Sequence, residues 1–161
     1  MKIPAETQAR LAFLVRVVQK EIEHLEYADQ QVFSSSFNRS NLENMENLPE
    51  LALKIEAFSS RFCRLQDTLG DKLLPSLLMA LGETANALLM NLDKAEKYGW
   101  LTSVEQWISL RQLRNKMIHE YIEDPGIFYS ALLTAHDNLS LLKDFADQLS
   151  KQVAELLRST T

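Results

Sequence analysis

The sequence predicts an all-α fold, an antiparallel bundle of about five helices in a single domain over 1–161. Three observations predict it. Only four residues are Gly and four Pro, while Leu, Ala, Glu, Gln and Lys are abundant, which favours helices over a sheet. Apolar residues recur three and four positions apart, the spacing of a single buried helical stripe. These stretches are mostly joined by short segments rich in Ser, Asn, Gly or Pro, which end helices. An apolar content of 46% excludes a disordered chain, and the length suffices for a core without staples.

A first helix is expected over about 4–27 or slightly beyond, with Leu11, Leu14, Val15, Val18, Ile22 and Leu25 inward. The run Ser34-Ser35-Ser36-Phe37-Asn38-Arg39-Ser40-Asn41 follows. Ser and Asn bond their own backbone, so 30–47 reads as a loop with one helical turn near 42–45. A second helix starts at Leu48 or Pro49, with Pro tolerated in the first turn and Asn47 available as a cap. It points Leu51, Ile55, Phe58, Phe62, Leu65 and Leu69 inward, weakens at Gly70, and must kink or end at Pro75. The segment 77–81 is apolar all round and belongs in a core or against a second subunit. A third helix over about 83–98 stops at Gly99. The fourth opens on Thr102-Ser103-Val104-Glu105, a capping-box pattern, and ends before Asp124-Pro125-Gly126. There Asp124 caps and Pro125 starts a fifth helix over about 127–157.

The charge narrows the function. With 17 Lys+Arg against 22 Asp+Glu the formal net charge is -5. Nucleic-acid affinity comes largely from Lys and Arg neutralising phosphates, so any RNA contact needs a local cationic patch. Arg111, Arg114 and Lys116, with no acid between Trp107 and His119, form one; an ordinary basic face paired with acids elsewhere accounts for it as well. Cys63 is the single cysteine, which excludes an intrachain disulfide and a multi-cysteine zinc site and fits a reducing cytoplasm. The apolar run 11–15 is cut by Arg16, unlike a signal peptide, and the longest apolar run, 73–81, is far short of the ~20 residues that span a bilayer. A soluble, cytoplasmic protein with no membrane contact is expected.

Residues 114–121 carry the most direct chemistry: Arg114, four residues, His119, one residue, Tyr121. An Arg holds and neutralises a phosphate, and a His moves protons near neutral pH. At ~100° per residue, Arg114 falls in the middle of an apolar arc formed by Leu113, Met117, Leu110, Tyr121, Trp107 and Ile118, with Arg111 nearby. A guanidinium there needs an anion. Either Asp67 or Asp71 of the second helix pairs with it, or a cleft or subunit interface leaves it free for a phosphate. His119 lies ~140° from Arg114 on the wheel, beside Asn115 and Gln112, whereas Tyr121 shares the Arg114 face. One helix does not easily make the site alone: either the long Arg114 side chain bends round, or two copies of the motif complete one another across a dimer, the option that also uses the apolar arc. His24 and His136 lack a tight polar constellation. Asp67 and Asp71, four apart, have metal-ligand spacing without a flanking His, and pairing with Arg64 or Lys72 is the ordinary alternative. No Gly-rich phosphate loop or nucleophile elbow is present, and neither metal nor cofactor is expected.

The segment Leu113-Arg114-Asn115-Lys116-Met117-Ile118-His119-Glu120-Tyr121 resembles the motif of HEPN-domain proteins. Specifically, it resembles the HepT-type toxins, whose hallmark is Arg, four residues, His, one residue, Tyr, with a polar residue after the Arg. The stretch 61–75 also looks like the second helix of that group. The resemblance implies a homodimeric helical bundle with the motif at the subunit interface, forming a metal-independent RNA-cleaving site. By that analogy His119 is the general acid or base, Arg114 binds the scissile phosphate, Asn115 orients a partner group, and Tyr121 accepts AMP from a cognate minimal nucleotidyltransferase antitoxin. The expected function is a ribonuclease toxin of such a pair. Two alternatives stay open: a non-catalytic substrate-binding or scaffold subunit of a two-component nucleotidyltransferase, and a helical dimer with a buried Arg–acid pair and no site.

Overall fold

The computed structural model describes residues 2–34 and 37–160, with the backbone alone for 120–122. The described residues are helical with no strand, as the spacing predicts. Helix α1 (Ala5–Val32) runs five residues past the expected end. Its stripe of Leu11, Leu14, Val18, Leu25, Ala28 and Val32 is buried and packs along α3 (Pro49–Asp67). Between them the Asn-rich stretch forms α2 (Arg39–Glu43), capped when the Asn41 amide donates to Asn38 Oδ1 at 2.8 Å, and a 3-10 turn at Met45–Asn47. Pro49 opens α3 as expected, but Asn47 does not cap it: its side-chain amide donates to Asn44 Oδ1.

Gly70 and Pro75 do not end the second helix. The chain passes from α3 through a π turn (Thr68–Leu73) directly into α4 (Leu74–Ala80), with Pro75 in its first turn. The wider i→i+5 turn leaves room where the proline ring otherwise crowds the carbonyl four residues back. Gly70 lies inside the turn, where an added Cβ would come within 3.2 Å of Leu88 Cδ1 and 3.7 Å of the Trp107 indole nitrogen. The absence of a side chain lets the turn sit against α5 (Leu88–Lys97) and α6 (Val104–Glu123).

The third helix begins at Leu88, not near 83, because polar side chains claim 83–87 first. The buried Asn91 amide accepts from the Asn86 backbone N–H at 2.9 Å and donates to the Asn86 carbonyl at 3.0 Å. Lys94 donates to the Thr84 carbonyl at 2.8 Å and pairs with Glu83 at 3.3 Å. Gly99, at φ +80, turns the chain out of α5 as expected. The Thr102/Glu105 capping box does not form. Ser103 Oγ accepts from the Gln106 amide at 3.1 Å, and Glu96 of α5 takes the Val104 amide at 2.6 Å.

Asp124 caps α7 (Pro125–Asp137) by accepting from the Gly126 and Ile127 amides. The expected fifth helix is two helices, because Asn138 breaks it: its side-chain amide donates to the Thr134 carbonyl at 2.8 Å, and α8 (Leu139–Ser159) restarts beyond it. Helix α7 packs on α6 and α2, while α8 packs on α1 and α4. Trp107 and Phe145 meet edge to face at 5.0 Å in the core. At the end of α1, His136 Nδ1 lies 2.6 Å from Asp29 Oδ1 and its ring stacks on Phe33, a constellation the sequence did not reveal. No helix among the described residues is long and apolar enough to cross a membrane.

Candidate functional site

The site begins where α6 crosses α3. Val104, Trp107, Leu110, Leu113 and Met117 form the buried stripe of α6, as the wheel predicts. Ile118, assigned to the same arc, is instead 60% exposed. Arg114 sits between these regimes, with its side chain 27% exposed, and its guanidinium donates a hydrogen bond to Asp67 Oδ1. Of the two expected arrangements, the structure contains the ion pair with α3, placed at the surface of the contact and not sealed within it.

Asp67 serves two arginines. Its Oδ1 also lies 3.7 Å from Arg111 Nη1, and Asp71 Oδ2 approaches the same nitrogen at 3.6 Å. Arg64 and Lys72, the expected partners of these acids, are not the groups they pair with. Asp67 ends α3 and Asp71 lies four residues on inside the π turn, so both carboxylates stand on the side that faces α6. Each turn of α6 from Arg111 to Arg114 thus meets acid from the neighbouring helix. The cationic patch read from the sequence is largely neutralised, leaving Lys116 exposed with no ion-pair partner among the described residues.

The electrostatics follow from this packing. Burial works against the Arg114 charge, but the Asp67 hydrogen bond and negative charge outweigh it and hold the guanidinium pKa above its ordinary value. Cys63, one turn before Asp67 on α3, shares the neighbourhood: burial pushes its thiol pKa up, with Arg114 pulling the other way. It is a protonated thiol near neutral pH, not an activated nucleophile. The sequence signal for its placement is the i,i+4 spacing to Asp67.

Two grooves flank the ion pair. One, of 570 Å³, runs between α3 and α6 and is lined by Ile55, Cys63, Arg64, Asp67, Met117 and Phe128 among others. The other, of 390 Å³, is lined by Ile108, Arg111, Gln112, Arg114, Asn115 and Ile118. Ile118 borders both. Arg114 and Asn115 are therefore brought together in one groove. His119 is exposed and lines neither, in keeping with its ~140° offset on an unbroken helix. Tyr121 belongs to α6 by its backbone, and its side chain lies outside the described residues. Within one chain, Arg114 with Asn115 and His119 stand on different faces of one helix.

The chain matches no family model, no curated protein and no solved structure, so the site stands on its own geometry and on the spacing of its residues.

Proposed function

We propose that this chain is a HEPN-type endoribonuclease of the HepT kind, working as a homodimer and restrained by a minimal nucleotidyltransferase partner. The observation that carries the reading is the spacing Arg114, four residues, His119, one residue, Tyr121 on the single continuous helix α6. Support comes from the position of Arg114 and Asn115 on the wall of an open groove. In the proposed reaction the ribose 2′-oxygen attacks the adjacent phosphorus, and the P–O5′ bond breaks to leave a cyclic phosphate and a free 5′-hydroxyl. His119 of one copy takes the 2′ proton, His119 of the other supplies a proton to the departing oxygen, and Arg114 offsets charge on the phosphorane. The separation of His119 from Arg114 within one helix is the reason two copies are invoked.

A test follows directly. Purified protein in excess chelator is expected to cleave single-stranded RNA, with His119→Ala slower by at least ~10²-fold, the usual range for losing a general acid or base. Equal cleavage by both proteins overturns the enzyme reading. Tyr121 is proposed as the acceptor whose oxygen attacks the α-phosphorus of ATP in the partner, releasing pyrophosphate. Incubation with the partner and ATP should add AMP-sized mass units to the wild type and none to Tyr121→Phe; retention of the mass in the variant removes Tyr121 from the role.

One observation favours the alternative of a non-catalytic scaffold subunit of a two-component nucleotidyltransferase: Arg111 and Arg114 both already hold carboxylates. A face of zero net charge suits a protein surface better than an RNA backbone.

A further inference from the structure

We propose that Asp67 is a gate: an intramolecular carboxylate occupying the place of an RNA phosphodiester on Arg114 and Arg111, which RNA must displace to bind. The proposal rests on the ribonuclease reading and adds its regulation. One oxygen, Asp67 Oδ1, contacts guanidinium nitrogens from two successive turns of α6, which is how a phosphate oxygen is held between paired arginines. With Asp71 on Arg111, two carboxylates oppose two guanidiniums and the cluster carries no net charge. In this closed state the face offers a polyanion nothing.

Three features make the closed state reversible. The four side chains are 27 to 41% exposed, so a displaced carboxylate moves into water without first being dragged through apolar surroundings. The acid and the cations also open on different grooves: Asp67 lines the 570 Å³ groove, whereas Arg111 and Arg114 line the 390 Å³ one beside Asn115. An entering phosphate therefore reaches the guanidiniums from the second groove while Asp67 leaves by the first. Finally, Arg111 Nη1 is buried without a hydrogen bond, its two carboxylates standing at 3.6 and 3.7 Å. That distance is beyond hydrogen-bonding range, so the closed state leaves a donor unused that a bound phosphate can take up.

The experiment measures binding of a fluorescently labelled single-stranded RNA across a salt series, in a His119→Ala background so that the probe stays intact. Adding Asp67→Asn is expected to tighten binding about tenfold and to steepen the slope of log Kd against log salt by about 0.7, as one more free cation requires on a single strand. Asp71→Asn, which spares the Arg114 contact, is expected to give a smaller gain. Arg114→Gln should cancel the gain of Asp67→Asn. A folded Asp67→Asn protein that binds no better than its parent overturns the gate, and if that variant fails to fold, absence of any gain in Asp71→Asn overturns it equally. Cleavage by wild type with no binding gain in either carboxamide variant sinks the gate alone. Tighter binding with no cleavage by the His119-intact protein sinks the ribonuclease reading and leaves the gate standing.

Discussion

Glu21 is a carboxyl group placed where its charge has no use. It is 9% exposed on the stripe of α1, and both its oxygens lack a hydrogen-bond partner, because the nearby Thr68 hydroxyl donates to the Arg64 carbonyl at 3.0 Å. Burial raises its pKa above the ordinary carboxylate value and the charge of Asp67 adds to this, while the charges of Arg64 and Lys72 oppose it. The unfolded chain releases this proton near the ordinary value and the folded chain only above it. Over that window the folded state binds more protons, so stability falls as pH rises. Glu21→Gln, which keeps the shape and removes the charge, is expected to match wild type below about pH 4 and to melt roughly 4 °C higher at about pH 8. Melting curves that stay superimposed at every pH exclude the effect. Gln66, wholly buried with both amide atoms unpartnered, is a second polar residue on an apolar stripe. Both escape the sequence reading because a polar residue adds nothing to an apolar pattern, although Glu21 lies three after Val18 and four before Leu25, and Gln66 four after Phe62 and three before Leu69. Arg114 is the opposite case: the wheel places it among apolar residues and leaves two possibilities, an ion pair with Asp67 or Asp71 or a cleft open to a phosphate, and the structure contains the contact with Asp67.

At the scale of elements, what the sequence showed was whatever a 3.6-residue period or a capping side chain announces. The inward stripes of α1, α3 and α6, the Asp124 cap and the Gly99 exit were all visible in this way. The departures share one cause: side chains that bond to backbone compete with the period and leave no apolar trace. Asn91 and Lys94 hold 83–87 out of the helix, Asn138 parts α7 from α8, and Glu96 replaces half of the capping box at α6. The π turn was hidden for a different reason. Gly70 and Pro75 both signal a break, and nothing in local composition distinguishes a break from a widened turn that absorbs both residues.

At the scale of the molecule, the helical class follows from composition and spacing, whereas the candidate site depends on contacts between residues far apart in sequence. Arg114 and Asp67 are 47 positions apart. The proposed pairing of two copies through α6 makes a prediction of its own. Ile118, exposed on the ridge between the two grooves, should lie inside that interface. Sedimentation velocity at tens of micromolar is expected to give a dimer for wild type and a monomer for Ile118→Asp, with unchanged helical circular dichroism. A wild type that sediments as a monomer removes the basis for a shared site.

The turn at Thr68–Leu73 has a consequence for how the chain tolerates changes of length. Carried forward at ~100° per residue, Phe58, Phe62, Leu65 and Leu69 centre near ~30° while Leu74, Leu77 and Leu78 centre near ~170°, out of phase by more than a third of a circle. All are nonetheless buried, because the turn holds about one residue more than an α-helix needs and so resets the phase. Losing one residue there keeps both stripes facing the core but returns the Pro75 ring to the carbonyl four residues back. It is the position in this long buried helix where a single-residue deletion spares the packing, and what such a deletion alters is the spacing of the two carboxylates that face Arg111.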